Sequence, residues 1–99
     1  MIRGFFLGFI KIHILHHADK GLVYGLWLIE ELKKHGYDIS PGTLYPILHS
    51  LEEDKLLQSY QETVNGKVRK YYKITLKGKK ALDETKVKIK ELVNEVMQK

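Results

Sequence analysis

The 99-residue chain contains no cysteine. That excludes a disulfide framework and any thiolate metal site, and it agrees with a reducing cytoplasm without requiring one. Long apolar runs are also missing. The opening "MIRGFFLGFIKIHILHHADK" carries Arg3 and a hydrophobic stretch, but Lys11 and His13 interrupt the stretch and no small-x-small cleavage site follows. It therefore reads neither as a signal peptide nor as a membrane span. No nucleophile–base grouping, glycine-rich phosphate loop or paired-carboxylate motif is visible, so neither an enzyme nor a cofactor is expected. Acid is scarce in one place above all. Between Thr63 and Lys80 there are seven basic residues (Lys67, Arg69, Lys70, Lys73, Lys77, Lys79 and Lys80) and no Asp or Glu. Proline occurs twice only, at Pro41 and Pro46.

What is present bounds the answer. One domain is the expectation for this length, with a modest core. A formal net charge of +5 and a pI near 9.4 suit an anionic partner, either nucleic acid or a membrane surface. The pattern predicts helix 1 over residues 3–17. It is apolar on nearly every side (Phe5, Phe6, Leu7, Phe9, Ile10, Ile12, Ile14, Leu15), so more than one side should be covered, the second by another subunit. Asp19-Lys20-Gly21 reads as a turn. Helix 2 is expected from Tyr24 to His35, with Leu28, Ile29 and Leu32 inward and Gly36 as its stop.

The stretch "SPGTLYPILHSLEEDKLL" reads as helix 3, with Ser40 as N-cap and Pro41 at N1, where proline is well tolerated. Leu44, Ile47, Leu48 and Leu51 follow the i, i+3, i+4, i+7 pattern. The opposite face offers Ser40, Gly42, Thr43, Tyr45, Pro46, His49 and Ser50: small, hydroxyl-bearing and aromatic, with no carboxylate before Glu52. Such a face at a helix N-terminus suits phosphates and base edges, and Gly42 would let the backbone approach closely. The alternative is an ordinary solvent face. Asn65-Gly66 then joins two β-prone runs as a two-residue hairpin turn. This register pairs Val64 with Lys67, Glu62 with Arg69, Tyr60 with Tyr71 and Leu57 with Ile74, turning Leu57, Ser59, Tyr72 and Ile74 inward.

Three helices followed by a basic hairpin make a winged helix-turn-helix, mostly α with a small β-hairpin. Helix 3 would enter the major groove of double-stranded DNA, and Lys67, Arg69 and Lys70 on the wing would meet phosphates. The runs "SPGTLYPILHSLEEDKLL" and "NGKVRKYYKITLKGKKAL", with "VYG" at Val23–Gly25, resemble the signature of the PadR family of transcriptional regulators over nearly the whole chain. The resemblance implies a homodimeric DNA-binding repressor that dimerises through its C-terminal helix. It also implies, as in many relatives, release of DNA by a small, often aromatic effector. Trp27 stands where that family usually carries a polar residue.

Residues 1–75 are thus expected to form the DNA-binding domain and residues 76–99 a C-terminal dimerisation helix. The helix runs from Leu76 to Met97 with Thr75 as N-cap. Its stripe of Leu82, Ile89, Leu92, Val93, Val96 and Met97 is either core or dimer seam; the seam is expected, joined by Phe5 and Phe9 of helix 1. Trp27, Phe5, Phe9 and Met97 are the candidates for an effector pocket, with simple core packing as the alternative. His13, His16 and His17 share the i, i+3, i+4 spacing that metals use, but no Asp, Glu or Cys stands beside them, and no metal site is expected. Two other functions stay open: a winged-helix protein-interaction module, and a membrane-surface protein, which the lack of a Lys/Arg face on helix 1 disfavours.

Overall fold

The computed structural model describes residues 3–98. Its elements are α1 (Arg3–Lys20), β1 (Val23–Tyr24), α2 (Gly25–Lys34), α3 (Pro41–Glu53), β2 (Leu57–Val64), β3 (Lys67–Ile74) and α4 (Leu76–Val96). The winged helix-turn-helix is present, and each sequence expectation can be placed on it.

α1 runs one turn further than the pattern suggested. Asp19 and Lys20 are helical, and the chain breaks at Gly21 instead. Ala18 is buried and holds that turn on the core, while His17 and Lys20 put basic side chains at the negative end of the helix dipole. The covered side of α1 carries Ile10, Ile14, Leu15 and Ala18, whereas Phe5 and Phe9 are exposed. α2 buries Leu28 and Leu32, with Ile29 half-buried. It ends as expected at Gly36, whose φ of +87° lets Tyr37 N–H reach the Leu32 carbonyl and Gly36 N–H the Lys33 carbonyl.

α3 buries Leu44, Ile47, Leu48 and Leu51, the four positions the spacing selected. β2 and β3 pair in the anticipated register through a turn in which Asn65 and Gly66 both have positive φ. Leu57, Tyr72 and Ile74 are buried beneath the sheet. A third strand was not foreseen. Two-residue β1 pairs with β3 (Val23 with Tyr72, Tyr24 with Tyr71), giving the order β1-β3-β2. A run of two residues is too short to show period-two alternation, and its pairing is long-range, so the local pattern could not reveal it.

α4 starts where predicted, with Thr75 Oγ1 accepting from Gly78 N–H at 2.9 Å. The same hydroxyl donates to the Lys55 carbonyl, pinning the helix start to the end of α3. Gly78 is buried there against the Leu56 carbonyl and Ile74. Leu82, expected on the dimer seam, is instead only 1% exposed and belongs to the chain's own core. It is the last α4 side chain the domain body can reach. Beyond Thr85 every described α4 residue is exposed, and the molecule measures 56 × 29 × 20 Å.

Candidate nucleic-acid interface

The candidate recognition surface begins at the N-terminus of α3. Ser40 takes the cap position, and its carbonyl accepts from Thr43 and Leu44 N–H, both at 3.0 Å. Its hydroxyl caps no backbone N–H and lies 3.5 Å from Thr43 Oγ1. Two hydroxyls and the positive end of the helix therefore face outward together, with no acid in the first turn. Gly42 has ordinary helical φ, and a side chain there would meet little but Ser40 Oγ at 3.7 Å. Nothing inside the chain requires glycine at this place, although it costs helix stability of roughly 1 kcal/mol relative to alanine.

Tyr45 is 48% exposed and projects from the same face. Its ring leans on Gly25 at the start of α2, where an added Cβ would come within 2.9 Å of Tyr45 Cζ. Tyr45 thus forms the floor of a groove between α3 and the wing, shared with Tyr24, Leu26, Val64, Asn65, Lys67, Val68, Arg69 and Lys70. The groove exists because β1 pairs with β3 only at Tyr71 and Tyr72. The β3 edge from Lys67 to Lys70 is left uncovered on that side.

The three wing cations divide between the two faces of the hairpin. Lys67 and Arg69 share one face with Tyr71, by the alternation of the strand. The Arg69 guanidinium stacks 4.2 Å from the centre of the Tyr24 ring, which fixes its direction. Lys70 lies on the opposite face, towards α3. There its Nζ sits 3.8 Å from Glu52 and 5.6 Å from the Tyr72 ring centre. From sequence the three stand together as expected phosphate contacts, with the faces not separated. The other cations of the run are spread further: Lys77 Nζ donates to the Asp54 carbonyl at 3.0 Å, and Lys79 pairs with Asp19 at 3.8 Å.

Pro46 is exposed next to Tyr45 and His49 one turn beyond it, and His49 pairs with Glu53 at 3.5 Å. The acid-poor face therefore covers the first turns of α3 and ends at this carboxylate. Glu52 is turned back instead, accepting from the Ser59 hydroxyl and from Ser59 N–H at 3.1 Å. The Ser59 bonds, aided by Lys70 and His49, hold its carboxyl below the usual range. Sequence reasoning missed two further cations. Arg3 and Lys11 of α1 flank a shallow groove with Gly42, Thr43, Pro46 and Ser50, so α1 adds positive charge to the other side of the α3 face. Their spacing of eight residues is a one-face helical repeat, but a single sequence does not tell which face meets α3.

The four effector candidates are not brought together within one chain. Phe9 lines an open apolar groove of about 520 Å³ between α1 and α4, with Ile12, Tyr37, Leu82, Ile89, Leu92 and Val93. Trp27 lies on α2 with its ring roughly perpendicular to that of His17, while Phe5 and Met97 are exposed at the first turn of α1 and beyond the end of α4. Among the described residues no helix is long and apolar enough to cross a membrane.

The chain is similar to known transcriptional regulators over most of its length. The model of the Transcriptional regulator PadR-like family matches residues 14–84, from the middle of α1 into α4. The transcriptional regulator Rv3488 of Mycobacterium tuberculosis is 48% identical over 96 residues, covering 97% of this chain and 90% of its own. Among solved structures, a PadR-like transcription factor from Bacteroides fragilis superposes with a TM-score of 0.84 at 35% identity, covering 94% of this chain and 91% of that one. A PadR family transcriptional regulator from Eggerthella lenta gives 0.81 at 32% identity, covering 90% and 79%. With its winged helix-turn-helix and near full-length likeness to these regulators, the chain belongs to the PadR-like family and is a DNA-binding transcriptional regulator, not an enzyme.

Proposed function

We propose that the chain is a cytoplasmic, sequence-specific repressor that acts as a homodimer. The observation that carries this reading is the outer half of α4. Ile89, Leu92, Val93 and Val96 form an apolar stripe that their own chain covers only in part; Ile89 is 39%, Leu92 60% and Val96 66% exposed. A helix end of that kind is marginal in water by itself and gains its stability from a packed partner. Phe9 of α1 borders the same groove, so a second copy laid across α1 and α4 covers both. Two-fold pairing then presents two α3 helices to two half-sites, which gives an operator palindromic symmetry. Repression follows from occupying such a site.

At each half-site, Ser40, Gly42, Thr43, Tyr45, Pro46 and His49 enter the groove, while Lys67 and Arg69 hold one flanking backbone and Arg3 and Lys11 the other. Lys70 supports the wing through Glu52 and contributes less directly. The bare site at Gly42 favours this reading, since close approach by an outside partner accounts for a glycine that nothing inside the chain requires. When a second copy closes the α1–α4 groove, the enclosed space suits a small apolar or aromatic effector bounded by Phe9, Ile12, Tyr37 and Ile89.

The test is a mobility shift with DNA from upstream of the protein's own gene, followed by footprinting. Protection of two half-sites about one helical turn apart, at a concentration where unrelated DNA is unbound, supports the reading. Equal binding to every duplex would remove specificity. No binding at all would favour a winged-helix protein-interaction module.

A further inference from the structure

α1 and the end of α2 meet at a cluster of imidazoles that the DNA surface does not use. His13 and His17 are one helical turn apart on α1, with nearly parallel rings whose centres lie 6.4 Å apart. His35, the C-cap residue of α2, brings its ring within 4.8 Å of His13 and 6.2 Å of His17. One nitrogen from each of the three lies within 4.8 Å of the others. His16, although adjacent in sequence, is not part of this set. The sequence spacing offered His13, His16 and His17 as the group. The fold replaces His16 with His35, a residue 18 positions beyond His17.

Packing ring on ring does not satisfy every nitrogen of this cluster. The Nε2 atom of His17 is buried and has no hydrogen-bond partner among the described residues, which ordinarily costs stability. Burial first, and then repulsion from neighbouring imidazoles (His35 and His16 on His13, His16 foremost on His17), push His13 and His17 below the usual imidazole range. Glu31 completes the surroundings. Its mostly covered carboxylate lies 3.9 Å from His35 Nε2 and supplies negative charge at the rim of the cluster.

We propose that His13, His17 and His35 bind one divalent transition-metal ion, zinc foremost, clamping α1 to the end of α2. Three imidazoles suit zinc, copper, nickel or cobalt and do not suit magnesium or calcium, which prefer oxygen ligands. Zinc–nitrogen bonds of about 2.0–2.1 Å require the three nitrogens to draw together by roughly an ångström. Side-chain rotation on two helix surfaces supplies that movement without shifting backbone. The remaining coordination positions fall to water or to the Glu31 carboxylate.

Trp27, the single tryptophan, stands 5.4 Å from the His17 ring and reports on the site. The untagged, metal-free full chain is titrated with cobalt(II), following visible absorption and quenching of Trp27 fluorescence, and cobalt is then displaced with zinc. One equivalent per chain is expected, with zinc raising the melting temperature. His35→Ala and His13→Gln should each weaken binding at least tenfold, and zinc should no longer stabilise His35→Ala. His35 is exposed at a helix end, so the metal-free His35→Ala variant should melt close to the metal-free parent. His16→Ala should bind as the parent does. Absence of saturable one-to-one binding overturns the site and leaves a packed aromatic cluster. Parental affinity in His35→Ala, or a loss in His16→Ala equal to that in His35→Ala, overturns this choice of ligands. None of these readouts uses DNA, so they stand apart from the repressor reading.

Discussion

At the scale of single residues, contacts decide what substitutions do. Tyr45 is held by Gly25 but exposes half its ring, and its hydroxyl makes no hydrogen bond among the described residues. Tyr45→Phe should leave the melting temperature nearly unchanged and weaken operator binding by about 0.5–1.5 kcal/mol, the worth of one hydrogen bond. Full affinity in a titration with this variant would take the hydroxyl out of the interface. Gly78 makes the opposite case. As a glycine inside a helix it invites replacement, since alanine gains about 1 kcal/mol of helix propensity. Yet a Cβ there lands on the Leu56 carbonyl and within 2.7 Å of Ile74 Cγ1. Backbone cannot yield as a flexible side chain can, so the clash should win. Gly78→Ala should destabilise by about 1–3 kcal/mol in thermal or denaturant unfolding. The sequence could nominate Tyr45 through its helical phase. It could not flag Gly78, whose constraint comes from a carbonyl 22 positions earlier.

At the scale of elements, the wing and its strut to α3 place their charges on opposite faces of the hairpin. Lys67 and Arg69 face away from Glu52, and Arg69 is aimed by Tyr24, whereas Lys70 is drawn towards the carboxylate. Replacing Lys67 and Arg69 with Ala should weaken binding to all DNA sequences and lower the slope of log K against log salt by about 0.9 for each lost phosphate contact. Lys70→Ala should change that slope less, and equal changes would put all three on the backbone. The strut itself is sensitive to acid. Glu52 is held below its usual range by Ser59, so its ionised form favours the folded state. Its contribution is complete above the ordinary carboxylate pKa and is lost as pH falls through the lower folded value. Glu52→Gln should therefore melt below the parent at pH 7, and the gap should close in acid. A gap unchanged by pH would mean that the charge is irrelevant. The helices and the hairpin register were readable from periodicity and the Asn65-Gly66 turn, which are local signals. The strut, β1 and the Arg3–Lys11 flank were not, because each depends on which elements meet.

At the scale of the molecule, the fold spends its core on the DNA-binding body and leaves α4 half covered. Leu82 closes the body, and from Ile89 onward the stripe faces outward. The stripe was visible in the sequence. Its division between core and seam was not, because periodicity shows that a face is apolar without showing where the body ends. A dimer built on this face makes a prediction that separates pairing from folding. Ile89→Asp places a carboxylate in the proposed seam, where a buried, unpartnered charge costs several kcal/mol. In a lone chain Ile89 is already 39% exposed, so the same substitution leaves the body's core intact. Sedimentation equilibrium should then give a monomer, and the buried set from Ile10 to Leu82 should still unfold cooperatively. Helix content should fall by a few turns, since the outer half of α4 loses its cover. DNA binding should follow the change in valence. An operator with two half-sites should lose orders of magnitude in affinity as the second contact ceases to be intramolecular, while a single half-site should bind nearly as before. A folded dimer carrying Asp at position 89 would place the seam on some other face. A monomer that still bound the double site with parental affinity would show that pairing is not what recognition requires.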